Sequence, residues 1–425
     1  MKNKKKKAFT LVELLAVIVI LAVILVIAIP QIMNVIKSAR ISSIKDSAML
    51  IAEQAEKDYL SQQVLNKDYN ETSIPCEDVA KLNDDYDSCN ITYNNGIATI
   101  KLKGKDGGKF SGITCKGTKD NMSCKEKVQL EGYTDAVEYF TNLCDNTTGC
   151  NDASNTSGLI KTNGTELRYR GSNPNNYVTF NDEVAGWRIV GIFDGRVKLV
   201  RKTALGGYSW DTSVSNVNNG YGINEWSQSD LMNELNGDYL NSSLSSDKIW
   251  YNGSNNQKTG TFNKNRVLKT SAQELIEKAT WYTSGVPISI SLTLSDAYIA
   301  ERGTQGKMCT SGDLCNDTVT RTTSWIGKVG LIYPSDYGYA SSNSNCQTGI
   351  RTNSNCNNNW MTRYGWTITP APSSGSSKNV WTASSNSIYN RTTSEAYDVH
   401  PSVYLISGIQ VKGTGTSGDP FVFAE

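Results

Sequence analysis

Residues 4–30 read KKKKAFTLVELLAVIVILAVILVIAIP: a block of lysines, then an apolar run interrupted by one charge. The apolar part is about twenty residues, enough to span a bilayer as a helix. Lysines ahead of such a span stay cytoplasmic, which sends the C-terminal bulk outside. A cleaved secretory signal has a shorter apolar core ending at a small-residue cleavage site, so length argues against it. A plain membrane anchor leaves one residue unexplained.

That residue is Glu13. A carboxylate inside an apolar span is costly and marks a functional position. No Lys or Arg follows until Lys37, so the segment offers it no cation. A cut between Ala8 and Phe9 would create one, the new α-amino group of Phe9. In a packed bundle, Glu13 of one copy can then pair with the Phe9 amine of a neighbour. Buried polar groups are well suited to fixing register in this way.

The segment Lys7 to Leu15, KAFTLVELL, resembles the N-terminal signal of type IV prepilins and type II secretion pseudopilins. The resemblance implies cleavage before Phe9 by a membrane aspartyl prepilin peptidase, followed by methylation of the Phe9 amine. It implies assembly with other pilin subunits through Phe9 and Glu13, and a helix-kinking proline, met here by Pro30. Where the family usually carries Gly before the cut, this chain has Ala8, a tolerated variant that can slow processing. The resemblance covers about thirty residues.

Beyond Pro30 the helical pattern resumes. Ile44, Ala48, Ile51, Ala55 and Tyr59 recur at spacings of three or four, while Lys45, Asp46, Glu53, Glu56 and Lys57 take the other faces. A helix over 9–62 would be on the order of 80 Å long. Its part 9–29 would lie in the membrane or the filament core, and its second half would pack on a small sheet. In 63–132, Ala98, Ile100 and Leu102 alternate with polar residues as a half-buried strand does. Gly104 to Phe110 is a turn, and Cys115 and Cys124 flank a hairpin. The acidic cluster Glu77, Asp78, Asp84, Asp85 and Asp87 lacks the spacing of a calcium loop and reads as a solvated loop.

The chain of 425 residues exceeds one ordinary domain, and its formal charge is +1. Removing residues 1–8 removes five lysines, leaving +1 − 5 = −4. That balance does not supply the basic field nonspecific nucleic-acid binding needs, so nucleic acid is not an expected partner. The ten cysteines fall as neighbouring pairs, Cys76/Cys89, Cys115/Cys124, Cys144/Cys150, Cys309/Cys315 and Cys346/Cys356. In an exported chain this reads as short-loop disulfides, with sequential pairing the simplest connectivity. Metal binding is the competing reading; no pair has Cys-x-x-Cys spacing and His400 is the only histidine. Neither a metal nor a cofactor is expected.

The domain division expected is a leader over 1–8, the helix over 9–62, a small β domain over 63–132, a linker over 133–164 and a large extracellular domain over 165–425. The fold class is α+β, with the last domain mixed and β-rich. In that domain a hairpin is expected at Asp194-Gly195, between Gly186–Phe193 and Arg196–Arg201. Helices are expected over 229–240 and 271–280, and strands over 325–333, 366–369, 380–382 and 403–406. The segments LRYR at 167–170, GWRIVG at 186–191, WIGKVGLIYPSDYG at 325–338 and YDVHPSVYL at 397–405 resemble uncharacterised extracellular modules of Gram-positive bacteria. A weaker likeness is to the C-type-lectin-like fold, including its formylglycine-generating branch, with His400 where that branch usually has Arg. Such a likeness speaks to fold and not to activity.

No multi-histidine metal site or phosphate-binding glycine motif is present, and His400, beside Pro401 in a strand, reads as structural. The chain is therefore expected not to be an enzyme. Between 357 and 397, Trp360, Tyr364, Trp366, Trp381 and Tyr389 stand among Ser, Asn and Thr, a mixture typical of binding surfaces. Trp366 and Trp381 read as core, which leaves Trp360, Tyr364 and Tyr389 as the candidate recognition surface. The expected function is a minor pilin or pseudopilin, membrane-anchored by a single pass and then part of a surface filament. It would display a noncatalytic domain for a carbohydrate or protein ligand. Two alternatives stand: a DNA-uptake or secretion pseudopilin that handles cargo, and a surface hydrolase on a pilin stem. The C-terminal Asp419 to Glu425 has no LPxTG-like signal, which argues against sortase assembly.

Overall fold

In the computed structural model, helix α1 runs from Leu11 to Leu65, 55 residues, about 80 Å at the α-helical rise. The structure describes residues 11–425 except 68, 70–71, 82–83, 95, 106, 127–129, 147–149, 151–157, 165, 212–221, 252–257, 289–291, 304–320 and 373–377. Side chains are described from residue 35 onward, other than 145, 146 and 259. Ala8, Phe9, Cys309 and Cys315 thus lie outside the described residues, as do the side chains of Glu13 and Pro30. The backbone of α1 passes through Pro30 as continuous helix, with no local break. A proline removes one amide donor, and the rungs above and below carry the helix on. Among the described residues no helix is long and apolar enough to cross a membrane; the apolar run of α1 precedes the first described side chain.

Two compact units follow from the packing, Met1–Gln129 and Leu130–Glu425. In the first, α1 lies on a five-stranded antiparallel sheet in the order β1 (Ser73–Pro75), β2 (Tyr86–Asn94), β3 (Ile97–Gly104), β4 (Ile113–Gly117) and β5 (Met122–Glu126). The predicted stripe is the buried one: Ile44, Ala48, Ile51, Ala55 and Tyr59 face the sheet, joined by Ala52. Three alanines in that stripe let the helix come close to the strands. Against them stand Ile91, Ala98, Ile100, Leu102 and Ile113, all at 0 % exposure. Each buried Ile or Leu stabilises the unit by about 1.5–3 kcal/mol. Polar ties sit at the rim: Lys37 pairs with Glu126 at 2.7 Å, and Arg40 Nε donates to the Lys109 carbonyl at 2.6 Å. Disulfides close Cys76–Cys89 and Cys115–Cys124, the second between directly opposed residues of β4 and β5.

The second unit begins with β6 (Thr134–Asp135) and α2 (Ala136–Asn146). The described residues of 133–164, expected as a linker, are instead part of its architecture. Asp135 Oδ1 accepts from Glu138 N at 3.1 Å at the head of α2. Ala136, Phe140 and Cys144, four apart, bury one helix face. Phe140 meets Phe421 edge-on at 5.2 Å. A true linker would carry no such stripe.

Among the described residues an eleven-stranded sheet forms the spine of this unit. Its early members are β6, β7 (Leu159–Thr162), β8 (Glu166–Tyr169), β9 (Tyr177–Phe180), β10 (Glu183–Phe193) and β11 (Arg196–Arg201). The expected hairpin joins β10 to β11, and Asp194 and Gly195 both have positive φ, 50° and 68°. That is the primed two-residue turn whose twist suits a hairpin. A register shift between Ile189 and Gly191 bends β10, so one end pairs with β9 and the other with β8.

Among the described residues three strand pairs and one three-stranded sheet stand off the spine, and two further short strands extend it. The ribbon β12 (Gly207–Tyr208) pairs with β22 (Tyr397–Asp398), and β13 (Lys248–Tyr251) with β14 (Lys258–Phe262). The spine takes β15 (Ile276–Glu277), while β16 (Ala279–Tyr282) pairs with β17 (Ser324–Gly327). Strand β18 (Val329–Gly330) joins the spine, and β19 (Gly365–Pro370), β20 (Asn379–Ala383) and β21 (Ile388–Thr392) form a separate three-stranded sheet. The spine ends with β23 (Ser402–Leu405), β24 (Gln410–Lys412) and β25 (Phe421–Ala424). Strand β25 lies between β24 and β9 and runs parallel to β9, which makes the sheet mixed. The whole is α+β with a β-rich second unit.

The helices of this unit are short. The one expected over 229–240 is split at Gly237 into α3 (Asp230–Asn236) and α4 (Asp238–Asn241), with Leu231 and Leu235 at 0 % exposure. The one expected over 271–280 stops early, as α5 (Thr270–Glu274), because Thr280 is claimed by the pairing of β16 with β17. Helices α6 (Leu294–Glu301), α7 (Pro334–Tyr339) and α8 (Asn345–Thr348) complete it. Disulfides close Cys144–Cys150 and Cys346–Cys356. Trp187, Trp210, Trp226, Trp281, Trp366 and Trp381 are all fully buried.

Candidate functional site

A cleft of about 340 Å³ opens where the sheet β19–β20–β21 meets the ribbon β12–β22. The local sequence explains its shape. Trp366, Ile368, Val380, Trp381 and Ile388 are buried and seat the small sheet on the core. Strand β22 crosses so close to β19 that a Cβ on Gly365 would stand 2.0 Å from the Asp398 carbonyl oxygen. Gly365 also has φ +61°, so only glycine meets both demands. Across the sheet Thr382 pairs with Tyr389 and Val380 with Arg391, which puts Tyr389 and Arg391 on one face, two residues apart.

The lining includes Arg363, Tyr389, Arg391, Tyr397 and Asp398, with Thr382 and Ser384 between them. The Arg391 guanidinium stands 5.4 Å from the Tyr389 ring and 5.7 Å from the Tyr397 ring, within cation–π range. Its Nε is buried and finds no acceptor among the described residues. Tyr397 is braced from behind by Trp366, edge-on at 5.1 Å, and its hydroxyl donates to Glu395 at 3.1 Å. Partial burial pushes the Tyr397 hydroxyl and the Asp398 carboxyl up from their ordinary values. Cationic donors, aromatic faces and hydroxyls are the elements of a binding site for a polar ligand.

The three residues expected to form a recognition surface part company. Tyr389 is half-buried and lines the cleft. Trp360 is buried at 6 % exposure; its Nε1 donates to the Tyr169 carbonyl at 2.8 Å and its ring lies 5.1 Å from the Arg188 guanidinium. Tyr364, at 4 % exposure, stacks on His400 at 4.4 Å. Those two side chains fill the core because the turn carrying them folds inward onto Arg188 and His400. Arg363, Arg391, Tyr397 and Asp398 were not singled out in the sequence. The alternation Tyr389-x-Arg391 was the signal that could have marked one of them. His400 is buried, its Nδ1 lies 2.9 Å from the Arg201 carbonyl, and burial pushes its pKa down to about 4. It is a neutral core residue at pH 7.

Beneath the spine lies a buried ionic cluster. Asp336, at the third position of α7, takes Arg168 Nη1 at 2.8 Å, Lys198 Nζ at 2.5 Å and the Tyr333 amide at 3.0 Å. Lys198 is 0 % exposed and sits 4.2 Å from the Tyr333 ring and 5.1 Å from Trp281. Burial pulls its ammonium down to about 8, while the two cations hold Asp336 down at about 2. Nearby, Glu301 accepts from the Ser335 amide at 2.8 Å and from its hydroxyl, and pairs with Arg302 at 3.2 Å. Burial pushes Glu301 up to about 7. Asp336, Lys198, Arg168 and Glu301 are enclosed, and the cluster ties β8, β11, α6 and α7 together. Among the described residues no group of His, Cys, Asp and Glu is arranged to hold a metal ion.

Residues 3–29 match the prokaryotic N-terminal methylation motif. No curated protein and no solved structure matches the chain.

Proposed function

We propose that this type IV pilin-like chain is a minor pilin or pseudopilin that displays its second unit as a noncatalytic recognition domain. The observation that carries the proposal is the methylation motif at residues 3–29, with Glu13 in its apolar run. Processing by a prepilin peptidase and assembly with other pilins go with that motif. The precursor is anchored by a single pass through the run 9–29, with the bulk of the chain outside, and then enters a surface filament. Glu13 pairs with the methylated Phe9 amine of a neighbouring subunit during entry. A second unit of nearly three hundred residues, Leu130–Glu425, would crowd a regular helical array, which favours a low-abundance or tip subunit.

Recognition of a carbohydrate or protein ligand is favoured over catalysis. The cleft holds guanidinium, phenol and hydroxyl groups, and the single histidine is buried elsewhere. Intact and N-terminal mass spectrometry on protein from its native host tests the processing step. A mature chain starting at N-methylated Phe9 is expected; a chain starting at Met1 would reduce the N-terminus to a plain anchor. Attachment of filaments bearing the Tyr389→Ala variant tests recognition. Loss of attachment with normal filament number is expected, and unchanged attachment would overturn the recognition role.

A further inference from the structure

We infer that the cleft between β19–β21 and β22 takes an anionic saccharide, with a sugar ring against Tyr389 and Tyr397 and its carboxylate or phosphate ester held by Arg363 and Arg391. This rests on the recognition reading above and narrows it to a ligand class.

The placement of two guanidiniums in one cleft carries the inference, rather than the lack of an ion pair alone. Among the described residues Arg188 also lacks a carboxylate, but it bonds amide and carbonyl oxygens, as Arg321 does. Arg168, Arg201 and Arg302 are each ion-paired, to Glu166 and Asp336, to Glu183, and to Glu301. Among the described residues Arg363 and Arg391 have no such carboxylate, yet both line the same cleft. A buried donor without an acceptor is uncommon in a folded protein, and Arg391 Nε is one. A planar guanidinium presents paired donors that match a carboxylate or phosphate, so an anion is the natural complement.

The tyrosines specify the rest of the ligand. Tyr389 and Tyr397 flank the Arg391 guanidinium, and Trp366 fixes Tyr397 from behind. Rings held in this way offer rigid apolar faces at small entropic cost. The faces suit the C–H side of a pyranose, and Ser384 and Asp398 supply partners for its hydroxyls. The Asp398 carboxyl, pushed up from its ordinary value by burial, lines the cleft as an acceptor for hydroxyl donors. A purely inorganic anion would use the arginines and leave the tyrosine faces bare. A neutral sugar would leave the arginines unanswered.

The test is calorimetric titration of the full chain in detergent micelles with three probes: a hyaluronan oligosaccharide, a neutral chitooligosaccharide of equal length, and inorganic phosphate. The hyaluronan oligosaccharide should bind at least about tenfold more tightly than either of the others. Arg363→Gln and Arg391→Gln should each weaken it by about tenfold or more, and Tyr389→Ala by a similar factor, with thermal melting unchanged for the exposed Arg363 variant. Equal binding of the neutral sugar, equal binding of phosphate, indifference to both arginine substitutions, or no binding of any probe would each overturn the ligand class. The recognition reading falls separately, through the filament attachment assay. If Tyr389→Ala abolishes attachment while no anionic saccharide binds, recognition stands and the saccharide does not.

Discussion

Replacing Asp336 with Asn tests whether the ionic cluster holds the second unit together. Among the described residues Asp336 is the anion that bridges Lys198 and Arg168, and it also accepts the Tyr333 amide that starts α7. The substitution keeps shape and volume but leaves two buried cations facing an amide. Removing one partner of a buried ion pair costs about 3–5 kcal/mol. Arg168 retains Glu166 at 3.0 Å, so the loss falls mainly on Lys198 and the expected cost is about 4 kcal/mol. Lys198→Met should cost less, since Asp336 keeps Arg168 and the methionine fits the aromatic enclosure. The assay is urea denaturation followed by tryptophan fluorescence. All nine tryptophans lie at or beyond Trp187, so the signal reports on the second unit alone. A midpoint for Asp336→Asn within the error of the unmodified protein, or a larger loss for Lys198→Met, would refute the assignment of Asp336 as the electrostatic centre.

Further outcomes are expected from other sites. Glu13→Ala should permit cleavage before Phe9 but sharply reduce filament incorporation, read by immunoblot of sheared filaments against membranes; normal incorporation would remove Glu13 from assembly. Converting Cys115 and Cys124 together to Ser should lower the stability of the first unit by about 2–3 kcal/mol, as expected for a short closed loop, measured by hydrogen exchange over β4 and β5. Ala52→Leu should cost about 1–3 kcal/mol there, because the helix has no room over the sheet, checked by the same measurement. Glu301 has a folded pKa of about 7, above its ordinary 4.5, so it binds its proton more tightly when folded. Its contribution is fully present below the ordinary value and is lost as pH rises through about 7, by up to about 3 kcal/mol. Glu301→Gln should flatten that loss in the tryptophan-detected midpoint between pH 5 and pH 8. His400 runs the other way: its contribution holds above its ordinary 6.5 and is lost as pH falls through about 4.

Local signals were legible where one physical requirement dominated. The helical stripe from Ile44 to Tyr59, the alternation at Ala98, Ile100 and Leu102, and the Asp194-Gly195 turn all emerged as read. The same was true of the disulfides seen among the described residues, whose partners are near in sequence. Legibility failed where distant segments decide. Trp360 and Tyr364 sit in polar, turn-rich sequence, and only the long-range approach of Arg188 and His400 makes their positions interior. Helix propensity over 271–280 yields to the pairing of Thr280 with Ile326. The cleft gathers Gly207, Arg363, Arg391 and Asp398 from four separate stretches, so no local pattern announces it. Ala136, Phe140 and Cys144 did show helical spacing, and they were read as a connector because their burying partner, Phe421, lies so far along the chain.

The positions of the first and last strands of the second unit have a consequence for how such a chain can arise. Strand β24 is flanked by β6 on one side and β25 on the other, so the unit's opening and closing segments are near neighbours. A folded body whose ends meet can be spliced onto a carrier, or into an exposed loop, without stretching or rethreading its interior. The unit is in that sense a portable cassette. The same placement lets the two units diverge independently, each under its own demands.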